Sequence, residues 1–263
     1  MNYKTLPHFL VSVLLCACTQ KTENTSNIDA QINQYLCLTE ARRSPNPKMD
    51  QIKEHYNALS DILTQAGLKN QADQYFAQAE NSPLFTPPMQ GVEKTFQQAL
   101  VILIHEELEQ VSGEDSAQHI DNAFALYGGL KSTAERRGQY FESDTLFTGI
   151  IEKSFKNLKK GSDRTGNTQK IYAAIDDVYF LSVLYELEGL AAKRGVDEII
   201  VQEKQIEGST FYEIIRSSAK DQAASETVRA EWAKGGNDLD IGLIKENMKI
   251  AFPEKSVHYQ IKF

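Results

Sequence analysis

From residue 28 to residue 252 the apolar residues recur three and four positions apart with few interruptions. That spacing places them on one face of a helix, and strand-like alternation is confined to the last eight residues, SVHYQIKF. A chain patterned in this way buries its apolar stripes by packing helix on helix, so the expected fold class is all-α, a multi-helix bundle. Helices are expected near 28–43, 49–66, 69–80, 89–111, 117–128, 132–141, 145–160, 170–192, 196–217, 219–233 and 238–252, with a strand-like tail at 256–263. The punctuation comes from Ser44-Pro-Asn-Pro47, from Gly67, and from Pro83, Pro87 and Pro88, which are expected to break the chain before the helix at 89. Lys159-Lys-Gly-Ser-Asp-Arg-Thr-Gly166 reads as a loop. The chain of 263 residues is long enough for a sizeable core, and its net charge of -8 lacks the basic footprint that nucleic acid requires.

Residues 1–17 stand outside this pattern. Lys4 precedes an apolar stretch from position 9 that is too short to span a bilayer, and polar residues follow at once, as in a secretory signal. The segment Leu15-Cys16-Ala17-Cys18 resembles the lipobox of bacterial lipoproteins. That resemblance implies cleavage before Cys18 and acylation of its thiol, anchoring the protein to a membrane through its N-terminal lipid. Thr19, rather than Asp, follows the cysteine, which under enterobacterial-type sorting implies the outer membrane, facing the periplasm. Residues 18–27 then form the lipidated cysteine and a polar tether. With Cys18 acylated, Cys37 has no intramolecular partner and is expected to be a buried packing thiol.

The remaining chain divides into a helical hairpin region, 28–88, a bundle, 89–255, and the tail. Tyr56, Leu59, Ser60, Leu63, Gly67, Ala72, Phe76, Ala79 and Pro83 fall near the spacing of a tetratricopeptide repeat. The resemblance covers one unit, which implies a helical hairpin and not a solenoid. In the bundle, Leu100-Val-Ile-Leu-Ile-His-Glu106 lines up with Phe180-Leu-Ser-Val-Leu-Tyr-Glu186, and Gly128 with Gly208. The alignment suggests a duplicated hairpin forming a four-helix core.

The candidate chemical residues are carboxylates and histidines. Glu203 and Glu207 lie one turn apart on a stripe shared with Val196, Ile199, Ile200, Thr210, Phe211 and Ile214. Bare carboxylates are costly to bury, so these two are expected either to pair with Lys204 or an arginine, or to ligate iron or zinc. His119 opens an apolar face with Ala123, Leu126, Tyr127 and Leu130, as a core or capping residue or as a ligand. His105 shares a side with Gln98 and Glu109, and Glu106 and Glu186 occupy equivalent positions in the proposed duplication. This plan, an exported helical bundle with His105 and nearby glutamates, is similar to periplasmic proteins of the imelysin type, which implies a link to iron uptake. The Gly-x-His-x-x-Glu motif of that family is not reproduced, because Leu103 and Leu108 fill two of its places. Gly161-Ser-Asp-Arg-Thr-Gly166 lacks the lysine of a P-loop, and no G-x-S-x-G elbow occurs. The expected function is therefore a non-enzymatic binding or assembly module of the cell envelope with a protein or peptide partner. A metal-binding lipoprotein is the alternative.

Overall fold

The computed structural model describes residues 27–259, apart from 83, 114, 140–142 and 144, so the signal, Cys18 and most of the tether lie outside the described residues. Among the described residues there are thirteen α-helices and no strand, as the apolar spacing requires. They are α1 (Asn27–Arg43), α2 (Met49–Asn57), α3 (Ser60–Gln65), α4 (Lys69–Asn81), α5 (Thr86–Glu109), α6 (Ser116–Gly128) and α7 (Lys131–Gly138). The second half contains α8 (Leu146–Lys159), α9 (Arg164–Lys193), α10 (Glu198–Ile215), α11 (Gln222–Trp232), α12 (Ile241–Ala251) and α13 (Pro253–His258). No helix among them is long and apolar enough to cross a membrane.

Helix α5 organises the fold. It is buried on nearly every side, and α1, α3, α4, α6, α9 and α10 all pack against it. Its start corrects the sequence reading: Pro87 and Pro88 open the helix and do not precede it. In a first turn the missing N–H groups would have had no intrahelical acceptor in any case, so two prolines are tolerated there. One continuous apolar core runs from Ile32 to Phe252 and crosses residue 88 without a break, sealing Phe96, Leu100, Phe155, Phe180 and Tyr212.

The repeat-like segment forms a hairpin of α2, α3 and α4. The expected helix 49–66 is interrupted at Ala58–Leu59, where the chain turns and Leu59 enters the core. At the hairpin's turn Gly67 adopts φ of +71°, with Leu68 N–H donating to the Leu63 carbonyl and Gly67 N–H to that of Thr64. This is the glycine-terminated helix end that L-residues adopt only with strain. Tyr56 and Phe76 then stack across the hairpin with ring centroids 4.2 Å apart.

The two long helices of the proposed duplication each lead through a short connection into a second helix, α5 into α6 and α9 into α10. Their matched positions are not equivalent. Gly128 ends α6 with only an Ile32 methyl near its missing Cβ, whereas Gly208 lies inside α10 under the Trp232 ring. Glu106 is exposed and Glu186 is buried. Two further expectations are corrected. The stretch Arg164–Gly166 begins α9, capped by the Asp163 carboxylate accepting from Gly166 N–H, so the loop ends three residues earlier. The tail is helical through His258 and not strand-like, because Pro253 nucleates α13; residues 260–263 lie outside the described residues.

Candidate functional site

Glu93 and Lys94 are adjacent in α5, about 100° apart around the helix, and therefore reach different neighbours. Glu93 accepts from Arg42 of α1, with Nε to Oε1 at 2.5 Å and Nη2 to Oε2 at 3.2 Å. Lys94 reaches Glu207 of α10 at 3.1 Å. The network continues through Lys204, which donates to Glu207 at 3.2 Å and to Glu186 of α9 at 2.7 Å. Glu93, Glu186, Glu207 and Lys94 are all buried. Three carboxylates and three cations are thus threaded between α1, α5, α9 and α10.

The electrostatics are uneven. Burial raises the Glu186 carboxyl to about 7, helped by repulsion from Glu207 and opposed by Lys204. Burial also pushes Glu207 upward, but Lys94 and Lys204 together outweigh it and hold this group near about 2. The two lysines meet at Glu207, while Glu186 has one. Glu203 is half-buried on the next turn, and burial together with the Glu207 charge raises its pKa. Of the two open expectations for Glu203 and Glu207, pairing with a cation describes Glu207, and Glu203 faces partly outward. The first turn of their stripe is also less buried than expected: Val196 lies before α10 and is 76% exposed, and Ile199 is exposed. The helix starts at Glu198 because the Asp197 side chain accepts from Ile200 N–H.

The other candidates lie elsewhere. His119 Nδ1 is 2.6 Å from Glu107 Oε2, and Asn122 donates to the second oxygen of the same carboxylate at 3.1 Å. His105 lies partly buried against Tyr172, with ring centroids 4.2 Å apart, and Tyr172 O–H donates to the His105 carbonyl. Burial lowers the pKa of His105. Glu106, Glu107, Glu109, Gln110 and His119 border one shallow cleft of about 350 Å³. The six proposed ligands do not converge: Glu186 and Glu207 accept from Lys204 with Glu203 one turn from Glu207 on α10, whereas His105 and Glu106 are in the last turns of α5 and His119 is on α6. Among the described residues no group of three His, Cys, Asp or Glu side chains is arranged to hold a metal ion. Cys37 is only partly buried, in contrast to the sealed thiol expected.

The sequence reading did not single out Glu93, Lys94 or Arg42. For Glu93 and Lys94 a signal was present: two adjacent charges sit within the apolar run of a helix, just before Phe96. No protein-family model, curated protein or solved structure matches the chain.

Proposed function

We propose that this chain is a lipid-anchored lipoprotein of the bacterial cell envelope whose helical domain is a binding or assembly module in the periplasm, held at the outer membrane. The observation that carries the reading is Leu15-Cys16-Ala17-Cys18 at the end of a short apolar stretch preceded by a single lysine. Cleavage before Cys18 exposes a thiol for acylation, and several acyl chains give the stable attachment that one chain does not. A polar run from Thr19 then lets the helical body stand off the bilayer. The module half of the reading is supported by the fate of the buried carboxylates. Glu93, Glu186 and Glu207 are each engaged by a lysine or arginine, a structural use that holds α1, α5, α9 and α10 in register.

The test is metabolic labelling with an alkyne-tagged palmitate in a bacterial host, comparing the wild-type chain with Cys18→Ala. Wild type is expected to take the label, fractionate with membranes and lose residues 1–17 by intact mass, and Cys18→Ala is expected to take no label and to keep residues 1–17. An unlabelled wild-type chain that retains residues 1–17 overturns the reading.

A further inference from the structure

Helix α8 and its C-terminal cap, residues 146–160, hold four lysines and one glutamate in a chain whose net charge is -8. Lys153, Lys156 and Lys160, the last at the cap, follow one another at spacings of three and four and so share one stripe of the helix. The stripe faces away from Ile151, Phe155 and Leu158, which are sealed in the core, and all three lysines are exposed. The charges beside it are neutralised: Lys131 pairs with Glu152 at 2.7 Å and Lys159 with Asp121 at 2.6 Å. No carboxylate among the described residues pairs with Lys153, Lys156 or Lys160.

Like charges at these spacings repel one another along a helix. A cation in the last turn complements the helix dipole, which accounts for Lys156 and Lys160. It does not account for Lys153, nearly two turns from the end, or for the apolar side chains that border the stripe. On one side Ile150 is 40% exposed. On the other, Phe124 of α6 is 39% exposed, with the Lys159 ammonium 5.0 Å from its ring centroid. The start of the described fold lies close to this helix. Ile32, in the second turn of α1, has methyl carbons 3.8 and 3.2 Å from where Cβ atoms of Gly128 and Gly129 would stand at the end of α6. Lys131, two residues further on, is the partner of Glu152 in α8.

We propose that the outer face of α8 docks on an anionic bilayer surface, with Lys153, Lys156 and Lys160 at the phosphate headgroups and Ile150 and Phe124 seated among them. Lysine is a point charge that needs no fixed fork of acceptors, so a stripe of lysines suits a fluid array of headgroups. Exposed apolar side chains beside the cations add burial at the interface, the combination by which amphipathic helices hold to a membrane plane. The nine residues from Cys18 to Ser26 span at most about 30 Å. An acyl group on Cys18 therefore keeps the start of α1, and α8 with it, within reach of the bilayer. The proposal rests on the lipoprotein reading for that proximity, but not for the attraction itself.

Vesicle sedimentation tests it on the full chain carrying Cys18→Ala, which takes no acyl group, so that binding is independent of the anchor. Anything that residues 1–17 add is common to every protein compared. The vesicles are phosphatidylcholine, alone or mixed with phosphatidylglycerol, at low ionic strength. The chain is expected to prefer the mixed vesicles, and added salt to reduce that preference. Lys153→Gln/Lys156→Gln/Lys160→Gln is expected to weaken binding to mixed vesicles roughly tenfold or more, without changing binding to phosphatidylcholine alone. Lys48→Gln/Lys53→Gln/Lys220→Gln removes the same charge from other exposed positions and is expected to bind as the parent chain does. Ile150→Ser, with every charge in place, is expected to weaken binding severalfold. If the α8 triple variant fails to fold, Lys153→Gln alone must show part of the same loss. No preference for mixed vesicles, or equal losses in the two triple variants, overturns the proposal. Capture on immobilised polyglutamate without vesicle binding also overturns it, and points to an acidic protein instead. A wild-type chain that takes no palmitate, with the vesicle preference intact, loses the anchor and keeps the docking face; the converse result loses only the face.

Discussion

Lys94 of α5 and Glu207 of α10 meet at 3.1 Å with side chains only 5% and 9% exposed. The lysine ammonium also lies 5.3 Å from the Phe211 ring centroid, one turn further along α10. Two helices that pack by apolar contact alone can slide by a turn at modest cost. A charge pair sealed between them cannot, because any slip leaves both ions buried and unpaired. The pair therefore fixes the register of α10 on α5, and through Lys204 and Glu186 the register of α9 as well.

Removing one partner is expected to cost much more than removing both. Glu207→Leu leaves Lys94 buried without its partner, and Lys94→Met deprives Glu207 of one of its two cations. Each single variant should lose about 3–5 kcal/mol of unfolding free energy, while the double variant, with apolar groups of similar volume, recovers a large part of that loss. Urea denaturation of the four proteins gives the coupling directly. Additive losses would mean that the two side chains act independently.

The same network sets a pH dependence. Glu186 is held near about 7 in the folded protein, above the ordinary glutamate value of 4.5. Between those limits the unfolded chain releases its proton first, so this group favours folding at low pH and that contribution is lost as pH rises through 7. Glu207, held near about 2, acts in the opposite direction: its contribution is present above 4.5 and is lost as pH falls through 2. Together the pair places its largest contribution near pH 4.5, between the two windows. Glu186→Gln should remove the decline between pH 4.5 and 7 while leaving the acid limb in place. Melting temperatures measured at half-unit steps across this range decide it, and an unchanged alkaline slope in the variant excludes Glu186 as its origin.

Much of this arrangement was legible in the sequence, for reasons that can be named. The helices follow from apolar spacing, a local property of the chain, and Tyr56, Leu63, Ala72 and Phe76 are buried where that spacing puts them. Glu207 was visible as a carboxylate on an apolar stripe. Its partner Lys94 lies 113 residues earlier and could not be chosen over Lys204 without the packing of α10 on α5. Pro87 and Pro88 were misread because a proline breaks a helix interior and opens a helix start, and the residues alone do not say which applies. Arg42 looked like an ordinary basic helix end, and only the packing of α1 on α5 shows that it is committed to Glu93.

Two glycines on helices predict opposite outcomes for the same substitution. A Cβ at Gly208 would come within 2.1 Å of the Trp232 ring, which is packed into the core. Gly208→Ala is therefore expected to destabilise by about 1–3 kcal/mol as the tryptophan is forced aside. A Cβ at Gly149, on the exposed face of α8, would meet nothing within 4 Å. Gly149→Ala should stabilise by about 0.5–1 kcal/mol, because alanine loses less backbone freedom on entering a helix. Thermal denaturation of both variants checks the pair, and a stabilised Gly208→Ala would show that α10 and α11 are not in close contact.

Gln97 joins three helices through side-chain hydrogen bonds alone. Besides its bonds to Tyr35 and Thr133, its carbonyl oxygen accepts from Tyr179 of α9 at 3.3 Å, and all four groups are buried. Tyr179→Phe removes one donor and leaves that oxygen unsatisfied, at a cost of about 1–3 kcal/mol. Gln97→Leu removes the centre and takes their partner from the Tyr35 and Tyr179 hydroxyls, while Thr133 keeps its bond from Arg136, so it should cost more. Urea denaturation of both variants checks the order of the two losses. A Gln97→Leu variant no less stable than Tyr179→Phe would show that the Tyr35 hydroxyl finds another partner once the amide is gone.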